Sequence, residues 1–138
     1  MAKRERLDIT DTAVGLRDVG LNGRLNTSAL MALAEEALHR FWQARPHDEE
    51  GSAEPEPEFR TTKFEARLYE ALGPGDPLRF TVQVDKIGGK SVGFAISVES
   101  AKTRAADVEI TWTAVNKDSA EPVALPEALR DWLYQWLP

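Results

Sequence analysis

The chain has 138 residues, 42% of them hydrophobic, with a formal net charge of −6 and no cysteine. That length suits one domain, expected to span residues 1–138, with enough apolar residues for a core. The acidic balance disfavours a nucleic-acid partner, the missing thiols exclude disulfides and thiolate metal sites, and two histidines, His39 and His47, make a His-based metal centre a poor fit.

No apolar run reaches the ~18 residues of a membrane span. The basic start MAKRERLD is followed by no apolar signal core. A cytoplasmic protein with no membrane partner is expected.

In chain order, RLDITDTAVGL is a first strand with weak alternation. RDVGLNGRLN, residues 17–26, is a polar loop with turn glycines just before an apolar segment. TSALMALAEEALHRFWQ, residues 27–43, is built from strong helix formers, and Asn26 or Thr27 can supply the N-cap. Ala29, Leu30, Met31, Leu33, Ala34, Ala37, Leu38, Phe41 and Trp42 cover most of that helix, so it is expected to be buried. ARPHDEEGSAEPEPE, residues 44–58, is acidic and proline-rich and reads as a solvated loop. It is expected to be mobile and to tolerate deletion of residues 49–56.

From Glu58 onward, apolar residues recur every second position. Phe64, Ala66 and Leu68 share one face. Leu78, Phe80, Val82 and Val84 form a second row, Val92, Phe94, Ile96 and Val98 a third, and Val108, Ile110, Trp112 and Ala114 a fourth. This is the pattern of strands with one buried face. GPGD at 73–76, the glycine pair at 88–89 and the polar AKTRAAD at 101–107 read as the breaks. Such short breaks imply antiparallel neighbours. LPEALRDWLYQWLP closes the chain as a short amphipathic helix with Pro126 near its start. The expected fold is therefore α+β, an antiparallel sheet wrapped around a central helix, with a short C-terminal helix.

This order and its local motifs resemble the hot-dog fold, and within it the 4-hydroxybenzoyl-CoA thioesterase-like acyl-CoA thioesterases. The family pattern D-x-D-x-x-G-H-x-N-N falls on residues 18–27, where Asp18, Gly23 and Asn26 match. AEEAL places Glu35 and Glu36 at the family's E-E-A-R turn. ALGPGDPLRF and KIGGKSVGF resemble its GD turn and its I-G-x-K-S strand, and PVALPEALRDWL its closing segment. Two departures stand out. The family's second aspartate, the usual nucleophile or base, is Gly20 here, and its histidine is Arg24.

The resemblance implies hydrolysis or binding of an acyl thioester of CoA or acyl carrier protein, with the thioester as substrate, no cofactor and no metal. It also implies a homodimer or a dimer of dimers with a ligand site between chains. Thioester hydrolysis needs a base and a group to hold the oxyanion. The expected catalytic set is Glu35 first and Asp18 second as base, with Arg24 on the carbonyl oxygen or a CoA phosphate. Asn22, Gly23, Asn26 and Thr27 are expected at the substrate, with Asn22 orienting a water and the helix N-terminus near Thr27 polarising the carbonyl. Lys90 and Ser91, beside the glycine pair, are expected at the CoA phosphates.

Plainer roles remain open for the same residues. Asp18 can cap a turn, Glu35 can be a paired carboxylate, Arg24 can form a salt bridge, and Lys90 and Ser91 can be turn residues. Gly20 itself favours a rival reading, a non-catalytic acyl-thioester-binding or assembly protein.

Overall fold

The structure, a computed structural model, describes residues 7–45 and 56–138. Most of the acidic proline-rich segment therefore lies outside the described residues. The strands are β1 (Ile9–Ala13), β2 (Glu58–Leu68), β3 (Pro77–Ile87), β4 (Ser91–Ser100) and β5 (Thr103–Val115). The helices are α1 (Thr27–Gln43) and α2 (Glu127–Tyr134), and a short 3-10 turn occupies Leu16–Asp18. The five strands form one sheet in the order β1-β3-β4-β5-β2.

The alternation read from the sequence is the alternation of burial. Leu78, Phe80, Val82 and Val84 of β3, Val92, Phe94, Ile96 and Val98 of β4, and Val108, Ile110, Trp112 and Ala114 of β5 are all buried. β2 follows its pattern only weakly, with Phe64 and Ala66 half-buried and Leu68 41% exposed. It is an edge strand, so its apolar face has a neighbour on one side only.

The polar break expected at residues 101–107 shrinks to two residues, because β5 already begins at Thr103. Ala101 and Lys102 both take positive φ, 50° and 70°, as a tight two-residue hairpin requires. The adjacent buried alanines Ala105 and Ala106 interrupt the period of two, which hides the start of the strand.

α1 begins and ends where its composition places it. It buries Leu30, Ala34, Ala37, Leu38 and Phe41, a spacing that puts all five on one face, and packs that face on the sheet. Ala29, Met31, Leu33 and Trp42 remain half-exposed, so the helix is covered on one side rather than all round.

By contacts the chain divides into two compact units. One holds the described residues up to Arg45, with Ala66–Val82 and Ile96–Val108. It contains α1, β1 and the polar loop. The other holds residues 56–65, with Gln83–Ala95 and Glu109–Pro138. Its core centres on Trp112, which meets Phe94 edge-on at 5.2 Å and Phe59 at 5.7 Å. There α2 buries Leu129 and Leu133, and Arg130 donates to the Gly88 carbonyl at 2.9 Å.

Within the first unit β1 runs antiparallel to β3, with Asp11 directly opposite Arg79. Arg79 donates from Nε and Nη2 to the two Asp11 oxygens at 2.7 and 3.0 Å. The hydrogen bond from Arg79, helped by its charge, holds the Asp11 carboxyl below its ordinary value. A carboxylate depressed in the folded chain adds stability above its unfolded value, about 3.9, and loses it as pH falls through the folded value. The pair is exposed, so its contribution is small. Asp11→Asn is expected to unfold at slightly lower urea than the wild type at pH 7. The two should converge well below about pH 3.9, as read from urea melts across that range.

Candidate active site

Residues 14–26 link β1 to α1 and form the site loop. Val19 and Leu25 pair across an isolated antiparallel bridge. Inside it the Gly20 amide donates to the Arg24 carbonyl and the Gly23 amide to the Gly20 carbonyl, both at 2.9 Å. Gly23 has φ +75°, the left-handed residue that lets a three-residue loop rejoin a strand pair. GLNGR is thus a miniature hairpin, with Leu21 fully exposed at its tip.

The hairpin delivers the chain to the start of α1. The Asn26 amide donates to the Asp18 carbonyl at 3.1 Å. Asn26 is the N-cap, and its Oδ1 accepts from the Ala29 amide at 2.7 Å and from the Ser28 hydroxyl at 2.9 Å. The first amides of an α-helix have no acceptor within the helix. Thr27 and Ser28, both exposed, therefore place two amides and the positive end of the helix dipole at the hairpin's base.

Several expected site residues are brought together here, though not all with side chains open to a ligand. Asn22 spends its Oδ1 on the Arg24 amide at 3.0 Å. The Asp18 Oδ2 accepts from the Gly15 amide at 2.8 Å, the turn-capping role open to it from sequence. The Arg24 side chain is exposed and has no hydrogen bond or ion pair among the described residues. Gly20 has room for a side chain. A Cβ there would meet only the Asn22 Oδ1 at 3.5 Å and the Asn26 Cβ at 4.0 Å, ordinary contact distances.

Glu35 is half-buried on α1. It stands eight residues beyond Thr27, about 12 Å along the axis at 1.5 Å per residue. Glu35 is thus set back about two turns from the helix start. Lys90 and Ser91 belong to the other unit. Lys90 is exposed in the β3–β4 turn, and its carbonyl accepts from the Ala114 amide at 2.8 Å. The Ser91 hydroxyl lies 3.0 Å from where a Cβ on Gly88 would stand, so a side chain there would have to displace it by a few tenths of an ångström.

Reading the sequence missed the partner that holds the loop in place. GPGD reads only as a turn, yet its Gly75 and Asp76 bond Val14 through the backbone, and Leu72 just before it bonds Leu25. A cavity of about 640 Å³ in the second unit, between Val115–Asp118 and Val123–Glu127, contains none of the expected residues. Among the described residues no group of three or more His, Asp or Glu could hold a metal ion, and no helix is long and apolar enough to cross a membrane.

The architecture is the hot-dog fold, shared with solved structures over nearly the whole chain. A Staphylococcus aureus protein crystallised in complex with CoA superposes with a TM-score of 0.80 at 16% identity, covering 100% of this chain and 90% of its own. A Thermus thermophilus thioesterase complexed with coenzyme A and zinc gives 0.77 at 23% identity, covering 91% and 95%. A 1,4-dihydroxy-2-naphthoyl-CoA thioesterase from Synechocystis gives 0.76 at 11% identity, covering 91% and 94%. No curated protein matches the sequence. The family model of the thioesterase-like superfamily matches residues 14–133, and the chain belongs to that superfamily.

Proposed function

We propose that this protein hydrolyses an acyl-CoA thioester. The observation that carries the reading is the hairpin-to-helix junction. Within a chain of the thioesterase-like superfamily, it leaves Thr27 and Ser28, the first residues of α1, exposed, and close before them in the chain an exposed Arg24 whose side chain has no partner among the described residues. Amides at a helix start suit a carbonyl oxygen that gains charge as water attacks, and Arg24 is proposed to add its charge there or at a CoA phosphate. The CoA bound to two of the structural neighbours supports CoA as the carrier.

A base is still required, and Gly20 has no side chain to be one. Glu35 is the preferred base and Asp18 the second. Because Glu35 is set back about two turns from its own helix start, the reading takes two copies of the chain. One supplies the loop and helix N-terminus, the other Glu35, in a homodimer or a dimer of dimers. The edge strands β1 and β2 are compatible with such pairing. Glu35 would take a proton from water, the hydroxide would add to the thioester carbon, and the CoA thiolate would leave and be protonated. Asn22 and Gly23 are proposed beside the substrate, Asn26 fixes the helix start, and Lys90 and Ser91 are proposed for the CoA phosphates.

Gly20 favours one rival, an acyl-thioester-binding protein that keeps the scaffold without turnover. The test is thiol release from short-chain, long-chain and aromatic acyl-CoAs by the purified chain. Hydrolysis of any class supports the enzyme. Micromolar binding without hydrolysis supports the rival, and neither would remove both.

A further inference from the structure

We propose that Asp76 is a positioning residue that fixes the candidate site by clasping both ends of its loop; this rests on the reading of that loop as the thioester site. Asp76 closes the turn at residues 73–76 twice over. Its Oδ2 accepts from the Gly73 amide at 2.8 Å, and its own amide donates to the Gly73 carbonyl at 3.1 Å. Gly75 takes φ +87°, a conformation that favours glycine. The closed turn then reaches out with backbone groups. The Leu72 carbonyl accepts from the Leu25 amide at 2.7 Å. The Asp76 carbonyl accepts from the Val14 amide at 2.9 Å, and the Gly75 amide donates to the Val14 carbonyl at 2.8 Å.

Val14 and Leu25 are the two ends of the loop, and both are buried. Leu25 directly precedes Asn26, the cap of α1. Gly73 is buried against the same loop, since a Cβ on it would lie 3.5 Å from the Arg24 Nη1 and 3.7 Å from the Gly23 carbonyl oxygen. The Asp76 carboxylate touches no expected substrate position. It satisfies a buried residue's amide and holds a turn whose displacement would carry Arg24 and the helix start with it. A shift of about 1 Å in groups that position a reaction can cost about 100-fold in rate.

The test compares Asp76→Ala with Asp76→Asn, whose Oδ1 can accept from the same amide. Asp76→Ala is expected to lower kcat on the best acyl-CoA by about tenfold or more, with KM changed by less than about threefold. Asp76→Asn is expected to stay within about threefold of wild type in both constants. Amide hydrogen exchange at residues 14–26 should quicken about tenfold or more in Asp76→Ala and stay near wild type in Asp76→Asn. Unchanged kcat and exchange in Asp76→Ala would overturn the proposal, as would an Asn variant as impaired as the Ala variant. If Asp76→Ala does not fold, Gly75→Ala strains the same turn with the carboxylate intact. It must then speed exchange at the same residues, and unchanged exchange overturns the clasp. If the wild type hydrolyses no acyl-CoA, the functional reading fails by itself, and the exchange comparison still decides whether Asp76 holds the loop.

Discussion

Glu35→Gln is expected to lower kcat for acyl-CoA hydrolysis by about 10²–10⁴-fold, the usual cost of losing a general base. Glutamine keeps the size of the side chain and is nearly as good a helix former, so the helix should persist. Circular dichroism and light scattering should show the same fold and the same assembly as wild type. Glu36→Gln is the matched control. Glu36 is exposed and pairs with Arg40 at 3.1 Å one turn on, an interaction worth a few tenths of a kcal/mol. That variant should turn over like wild type. A Glu35→Gln protein with undiminished rate would transfer the role of base to Asp18 or remove it from the account.

The second large effect is on stability. Phe41 is fully buried near the end of α1 and is among the largest fully buried side chains. Phe41→Ala is expected to cost about 3–5 kcal/mol, the sum of lost transfer energy and an incompletely filled cavity. Equilibrium unfolding in urea would show this as a lower midpoint with an unchanged slope. A loss below about 1 kcal/mol would mean that α1 is not anchored through this face. The same helix carries the Asn26 cap at one end and Phe41 near the other, so loosening Phe41 should also weaken the presentation of the Thr27 and Ser28 amides.

Much of this fold is legible from side-chain periodicity alone. α1 is bounded by Asn26, whose short polar side chain caps it, and by the end of its run of helix formers. β3, β4 and β5 alternate because one face of each is covered. The sequence is less informative where burial is partial or contacts are made by backbone. β2 lies at an edge, so its apolar row is only half-covered. The start of β5 is hidden by two adjacent alanines small enough to be buried together.

The site divides along the same line. That residues 17–26 form a polar loop before a helix is visible in their composition. That Asn22 and Asp18 spend side-chain oxygens on backbone amides is not, because the same residue types serve turns and catalysis alike. The hold of residues 72–76 on Val14 and Leu25 runs through main-chain groups about 50 to 60 positions apart, which no side-chain pattern records. The spacing of Glu35 from Thr27 follows from helix geometry and needs no structure. The proposal that two chains share the chemistry rests on that spacing together with the choice of Glu35 as base.

Thiol release from an acyl-CoA panel by the wild type and by Gly20→Asp decides whether the hairpin-to-helix junction is a hydrolytic site. A Cβ at position 20 meets nothing closer than 3.5 Å, so the variant should fold. Wild type is expected to turn over at least one acyl-CoA, and Gly20→Asp to do so faster once a carboxylate stands beside the Asn26 cap. Two inert proteins that bind acyl-CoA equally well would contradict it, and would leave the hairpin and helix start as a binding surface without hydrolysis.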